Sequence, residues 1–176
     1  NHETPAKPAA KKVVSGGVSK VLPALTGYFG NPVPGARLTQ GVHGYNGVDL
    51  GAPNGTPVYA SAGGTVIVAK NNGGYNGGYG NYIVIKHDNG TQTLYAHLSR
   101  LQVQEDGWVG RGATIGLSGN SGMSTGAHLH FELRMFPTND GNGFGGRIDP
   151  LPFLPKDRLL LPDYMPYDLR RLLGKP

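Results

Sequence analysis

The sequence predicts a mainly β protein built on an antiparallel sheet, and three observations carry that prediction. Thirty glycines and fourteen prolines in 176 residues favour short strands joined by many turns over a helical bundle. Alternating or apolar runs recur at short intervals, each bounded by Gly, Asn, Ser or Asp, as hairpin-connected strands require. No long helix-period segment interrupts them, and no internal repeat is evident. The length is one domain's worth, enough for a single sizeable core.

Residues 1–21 are rich in Lys, Ala, Pro and Ser/Gly and read as a flexible linker, too poor in apolar surface to order itself. The packed domain is expected over 22–155, starting between Leu22 and Tyr28 and passing through GNPVPGAR to a strand at Leu38–Val42. Further strands are expected at Pro57–Ala60, Thr65–Lys70, Tyr82–His87, Thr93–Leu98, Thr114–Leu117 and His128–Arg134. Two long loops, 70–81 and 136–147, are nearly free of bulky aliphatics. Gly-rich loops held at both ends by a scaffold often carry binding function. In the extension 156–176, Leu169, Leu172 and Leu173 lie at helical spacing before Gly174. They predict a helix of about two turns, too short to stand alone, which packs on the domain in preference to serving as a contact element for a partner.

The net charge of +5 does not indicate nucleic acid. Residues 28–154 hold seven Lys/Arg and seven Asp/Glu, so the excess sits in the ends, and no basic face interleaved with stacking aromatics results. Solvated tails are the expectation, with weak attraction to an acidic polymer as the second reading. No apolar run reaches the roughly 20 residues of a membrane span, and NHETPAKPAAKK lacks the apolar core of a signal peptide. Lacking an initiator Met, the chain reads as a piece of a longer precursor. With no cysteine, any zinc site must be built from His and carboxylate.

Such a set exists. In HLHFELR, strand alternation puts His128, His130 and Glu132 on one side and buries Leu129, Phe131 and Leu133 on the other. A second candidate pair, His43 and Asp49, precedes it where GVHGYNGVDL runs into a turn and a short apolar segment. Together these supply three nitrogen and oxygen ligands, the number a catalytic zinc takes while keeping a fourth position for water. His2 has no structural support. His87 shares a face with Ile83 and Ile85, the setting of a hydrogen-bonded structural histidine. His97, in TLYAHL, is expected on a polar face with Thr93 and Tyr95, opposite Leu94, Ala96 and Leu98, and is a candidate for proton transfer. Asp49 alone would read as a turn cap. Glu132 reads either as an exposed strand residue or as a group that orients a ligand imidazole.

The joint pattern weighs more than any single residue. QGVHGYNGVDLGAPNGTPVYASAGGTV, GNYIVIKHDNGTQTLYAHLS and VGRGATIGLSGNSGMSTGAHLHFELR, in that order and closed by RIDP, resemble the lysostaphin-like, LytM-type zinc endopeptidases of bacterial cell walls over about residues 38–150. The resemblance implies an antiparallel β-sheet domain with long Gly-rich loops flanking a groove. It further implies that His43, Asp49 and His130 bind zinc, and that His97 and His128 face the open coordination site. With no HExxH glutamate in the chain, two imidazoles just outside the metal's ligands would share proton transfer and oxyanion stabilisation; which is the base stays open. The implied substrate is a peptidoglycan stem peptide or cross-bridge, taken by a groove that Tyr75, Tyr79 and Phe144 line. The implied location is extracellular, in the cell wall or the periplasm.

Two positions depart from the family pattern. The family places its first zinc histidine four residues before the aspartate, where this chain has Tyr45; His43 lies two residues further upstream, a displacement that a wider Gly-Asn turn can absorb. Tyr45 itself is read as groove wall or packing, or as a phenol near the transition state. Ala127 replaces a common Pro, loosening a loop without removing chemistry. Two other readings compete. A non-catalytic LytM-like module would bind cell wall or activate another hydrolase, but such members typically lose zinc ligands. An unrelated zinc peptidase that trims D-Ala termini would place a glutamate just before its last histidine, and no Glu-x-x-His occurs here.

Overall fold

The computed structural model describes residues 25–44, 46–135 and 146–155. The expected linker and C-terminal helix, Tyr45, and Phe144 with most of its loop lie outside the described residues. Within them are ten strands: β1 Arg37–His43, β2 Gly47–Gly51, β3 Pro57–Tyr59, β4 Gly64–Lys70, β5 Asn81–His87, β6 Thr91–Leu101, β7 Trp108–Val109, β8 Thr114–Ser118, β9 His128–Met135 and β10 Arg147–Ile148. Among the described residues, short helical turns span Asn76–Gly78 and Leu151–Phe153.

The seven expected strands are present, and β2, β7 and β10 are additional. Two residues are too few for a periodicity signal. The five of β2 carry Gly at both ends and an Asp in the middle, a composition that reads as turn. The main path runs β1-β2-β9-β6-β5-β4-β7, with β10 on β9 and β8 joining β6 to β3. Hairpins supply β1–β2, β4–β5 and β5–β6, but β2 pairs with β9 across some eighty residues of chain. That long-range pairing creates the site, because it sets Asp49 opposite His130.

One face of the sheet carries the core. Val48 and Leu50 from β2, Leu129, Phe131 and Leu133 from β9, Tyr95 from β6, and Ile83 and Ile85 from β5 pack there with Leu25, Phe29, Val58, Ile115 and Leu151. Each large apolar side chain so buried contributes about 1.5–3 kcal/mol. On the opposite face Val84, Leu94 and Ala96 form a smaller cluster with Val68, Tyr79 and Tyr82. The polar side chains of β9 emerge beside it.

Candidate metal centre

Three strands supply the centre on one level. Asp49 pairs with His130, and Ala96 pairs with His130 from the other side, so Asp49, His130 and Ala96 project from the same face. His43, at the end of β1, pairs with Gly47, and the turn between them takes left-handed backbone at Gly44 and Asn46. The turn returns the chain with His43 Nε2 3.5 Å from Asp49 Oδ2. Ligand atoms of His43, Asp49 and His130 all lie within 4.8 Å of one another. Gly47 is required there, since a Cβ would come within 2.3 Å of His130 Cε1.

His97 reaches the centre by a route that alternation does not predict. Thr93 and Tyr95, with which it was expected to share a polar face, are buried on the core side, while Leu94 and Ala96 lie on the metal side. Regular alternation would therefore send His97 into the core. Instead β6 changes partner at this residue, pairing with β9 over Thr91–Ala96 and with β8 over Leu98–Leu101. Its register with β5 also slips. His97 has φ of 61°, an uncommon conformation for a residue with a Cβ, and its N–H donates to Tyr79 O at 2.9 Å. This bulge re-aims one side chain, bringing the His97 ring to 4.7 Å from that of His128 and 5.8 Å from that of His130.

Hydrogen bonds fix three of the four imidazoles alike. Nδ1–H donates to a backbone carbonyl in His43 (Gly41 O, 2.8 Å), His97 (Ser121 O, 2.8 Å) and His128 (Gly126 O, 2.7 Å), leaving Nε2 as an acceptor. Only His130 is reversed: Nε2 faces Glu132 Oε1 at 3.2 Å, and Nδ1 faces Asp49 Oδ1 at 2.9 Å. His128 Nε2, buried and without a hydrogen-bond partner, lies 3.6 Å from Asp49 Oδ2. Two imidazole nitrogens and a carboxylate oxygen, each imidazole anchored through its other nitrogen, are a donor set suited to zinc.

The model of peptidase family M23 matches residues 43–148. The chain belongs to this family. It is 47% identical over 96 residues to the peptidoglycan DD-endopeptidase ShyA of Vibrio cholerae, covering 54% of this chain and 21% of that protein. Lysostaphin from Staphylococcus simulans, an antimicrobial peptidase, superposes with a TM-score of 0.63 at 30% identity, over 73% of this chain and 53% of that one. A zinc-containing peptidase from Vibrio cholerae superposes with a TM-score of 0.51 at 34% identity, over 61% and 36%. The M23 chain thus spans about a fifth of the length of the curated relatives it matches. Zinc is the cofactor that this family and this donor set share.

Burial and neighbours set the charges of the M23 centre. Burial raises the Asp49 carboxyl, but the hydrogen bond to His130 and the imidazoles of His128, His130 and His43 outweigh it and hold it below the usual carboxylate range. Burial lowers His130, yet hydrogen bonds to Asp49 and Glu132 and their negative charges push it up to about 9. Burial pushes His97 down to about 4; the Ser121 carbonyl opposes this, and the His128 and His130 imidazoles reinforce it. His97 is therefore a neutral acceptor at pH 7.

Of the two readings of Glu132, surface exposure is overturned: the residue is 2% exposed. Tyr79 OH donates to its Oε1 at 2.5 Å, while Arg134 and Arg147 hold Oε2. Burial raises its pKa, but these partners, His130 foremost, bring it down to about 2. A cavity of about 360 Å³ lies over the centre, lined by His43, Gly77, Gly78, Tyr79, Met123 and Arg147 among others. Tyr79 lines it as expected. Tyr75, largely exposed, stands beside Gly78 of that wall. A separate cavity of about 280 Å³ is lined by Asp49 and His128 with Thr39, Gln40, Thr125 and Gly126. A larger cavity near Arg111, Tyr59 and Pro155, about 530 Å³, has no histidine or carboxylate among the described residues of its wall. Arg134 and Arg147 escaped the sequence reading, because charge pairing across β9 and β10 has no periodic signature.

Proposed function

We propose that this chain is a zinc-dependent endopeptidase that hydrolyses peptide bonds in peptidoglycan stem peptides or cross-bridges, outside the cytoplasm. One observation carries the reading: His43, Asp49 and His130 converge within 4.8 Å, and His97 and His128 stand beside them with rings 4.7 Å apart and acceptor nitrogens uncommitted to the fold. The relatives' names supply the substrate class.

His43 Nε2, an Asp49 oxygen and His130 Nδ1 would hold the metal. Zinc supplies Lewis acidity there, lowering the pKa of a water from about 15.7 towards about 7 and polarising the scissile carbonyl. The cavity over Gly77 and Gly78 and the separate one lined by Thr39, Gln40 and Thr125 together would take an extended peptide across the centre. His97 and His128, each tied through Nδ1–H to a backbone carbonyl with Nε2 left as the acceptor, accept a proton from the attacking water. In protonated form they then support the oxyanion and return the proton to the leaving amine. No helix among the described residues is long and apolar enough to cross a membrane.

The test is mass spectrometry of muropeptides released from walls of different cross-link chemistry by zinc-loaded protein. New amine and carboxylate ends at one type of peptide bond are expected. Walls left intact by the chain alone, but opened faster by a second hydrolase in its presence, would assign it instead to the non-catalytic module.

A further inference from the structure

His130 sits between two carboxylates, Asp49 at Nδ1 and Glu132 at Nε2, and only one of them is available to a cation. Glu132 Oε1 accepts from Tyr79 OH and His130; Oε2 accepts from Arg134 Nε and Nη2 and from Arg147 Nε. Both oxygens are occupied by donors, and two guanidinium charges offset the buried carboxylate. Asp49 Oδ2 faces His43 and His128 Nε2 at 3.5 and 3.6 Å, nitrogens that carry no proton when Nδ1 is the donor. Asp49 thus has lone pairs to give, and Glu132 has none.

We propose that Glu132 is a positioning residue that holds the His130 ring with Nδ1 towards the metal, and that Tyr79 is the strut linking it to the Gly-rich loop. This rests on the reading of His130 as a ligand. A carboxylate behind a ligand imidazole fixes its tautomer and orientation and strengthens its donor nitrogen. Here the carboxylate is itself fixed: Tyr79 OH donates to Glu132 and accepts from Arg134 Nη2 at 3.3 Å and Arg147 Nη2 at 3.2 Å. The same tyrosine receives the His97 N–H on its backbone carbonyl. One loop residue therefore supports the metal ligand through its side chain and the proton-transfer histidine through its main chain. Gly80 reinforces the loop, because a Cβ there would lie 2.4 Å from Ser121 C, which places the loop backbone against the segment whose Ser121 carbonyl holds His97.

The experiment measures zinc affinity by chelator competition for the wild type, Glu132→Gln, Glu132→Asp, Tyr79→Phe and His130→Ala, with thermal melting of each zinc-free protein alongside. Glu132→Asp keeps the charge for the arginines but withdraws it from Nε2, so it separates orientation from folding. Both Glu132 variants are expected to bind zinc roughly 10–100-fold more weakly, with Tyr79→Phe showing a smaller loss. In the zinc-loaded wild type the His130 Nε2 proton gives an exchange-protected imidazole signal, which Glu132→Asp loses. Zinc affinity within about twofold of wild type in the folded Glu132→Asp and Tyr79→Phe proteins would overturn the proposal, even if melting temperatures fell. Undiminished zinc binding by His130→Ala would instead overturn the ligand reading on which it rests.

Discussion

His87 and His97 lie on neighbouring strands, both buried, and their hydrogen bonding separates them. His87 is saturated: Nδ1–H donates to Gly63 O at 2.9 Å, and Nε2 meets Thr93 Oγ1 at 2.8 Å. Thr93 continues to Tyr95 OH, which accepts the Ser61 N–H, and Tyr28 and Phe29 pack edge-on against the ring. His97 has one nitrogen tied to a carbonyl and the other turned to a cluster of imidazoles. A histidine whose nitrogens are both satisfied by the fold stabilises it. One held by a single nitrogen, with the other offered to a cavity, is equipped for chemistry.

Breaking the metal side of that comparison has the largest expected effect. His130→Ala should remove zinc and wall-cleaving activity together, read by metal content and muropeptide release. Gly47→Ala should come close to it, because the added Cβ collides with the His130 ring; chelator competition should show zinc affinity down by at least about tenfold. His97→Ala and His128→Ala should retain stoichiometric zinc while losing roughly 10²–10⁴ in kcat. Loss of metal in either would move that residue from proton transfer to ligation.

The His87 side should respond in stability alone. His87→Ala takes the imidazole donor from Gly63 O and leaves Thr93 Oγ1 with Tyr95 OH as its remaining side-chain partner, and should cost about 1–3 kcal/mol in denaturant unfolding, with kcat and zinc content unchanged for the folded fraction. A smaller effect concerns pH. Burial, only partly opposed by the Gly63 carbonyl and Asp88, depresses the folded pKa of His87. Below about 6.5 the unfolded chain takes up a proton that the folded chain refuses. The His87 contribution is therefore complete above that pH and falls as pH drops towards the folded pKa. Melting temperature plotted against pH should fall less steeply in His87→Gln than in the wild type.

How much of this was legible depends on which residues obey alternation. Leu129, Phe131 and Leu133 bury while His128, His130 and Glu132 turn the other way, as period two requires. His87 beside Ile83 and Ile85 followed the same rule. His97 did not, since a bulge with positive φ at a strand that changes partner leaves no mark in hydrophobic patterning. Glu132 was ambiguous because the guanidiniums that bury it come from Arg134 on its own strand and Arg147 on another, and nothing local announces that convergence. The turn that returns His43 to Asp49 was anticipated from Gly and Asn, whereas β2, which fixes the Asp49–His130 level, was concealed by turn-like composition.

The most direct measurement is an anomalous difference map at the zinc edge from a crystal of the zinc-loaded chain. The expected result is one peak bonded at about 2.0–2.2 Å to His43 Nε2, an Asp49 oxygen and His130 Nδ1, with His97 and His128 beyond bonding distance. A peak held by His97 and His128, or one that leaves His43 or His130 unbonded, would contradict the account.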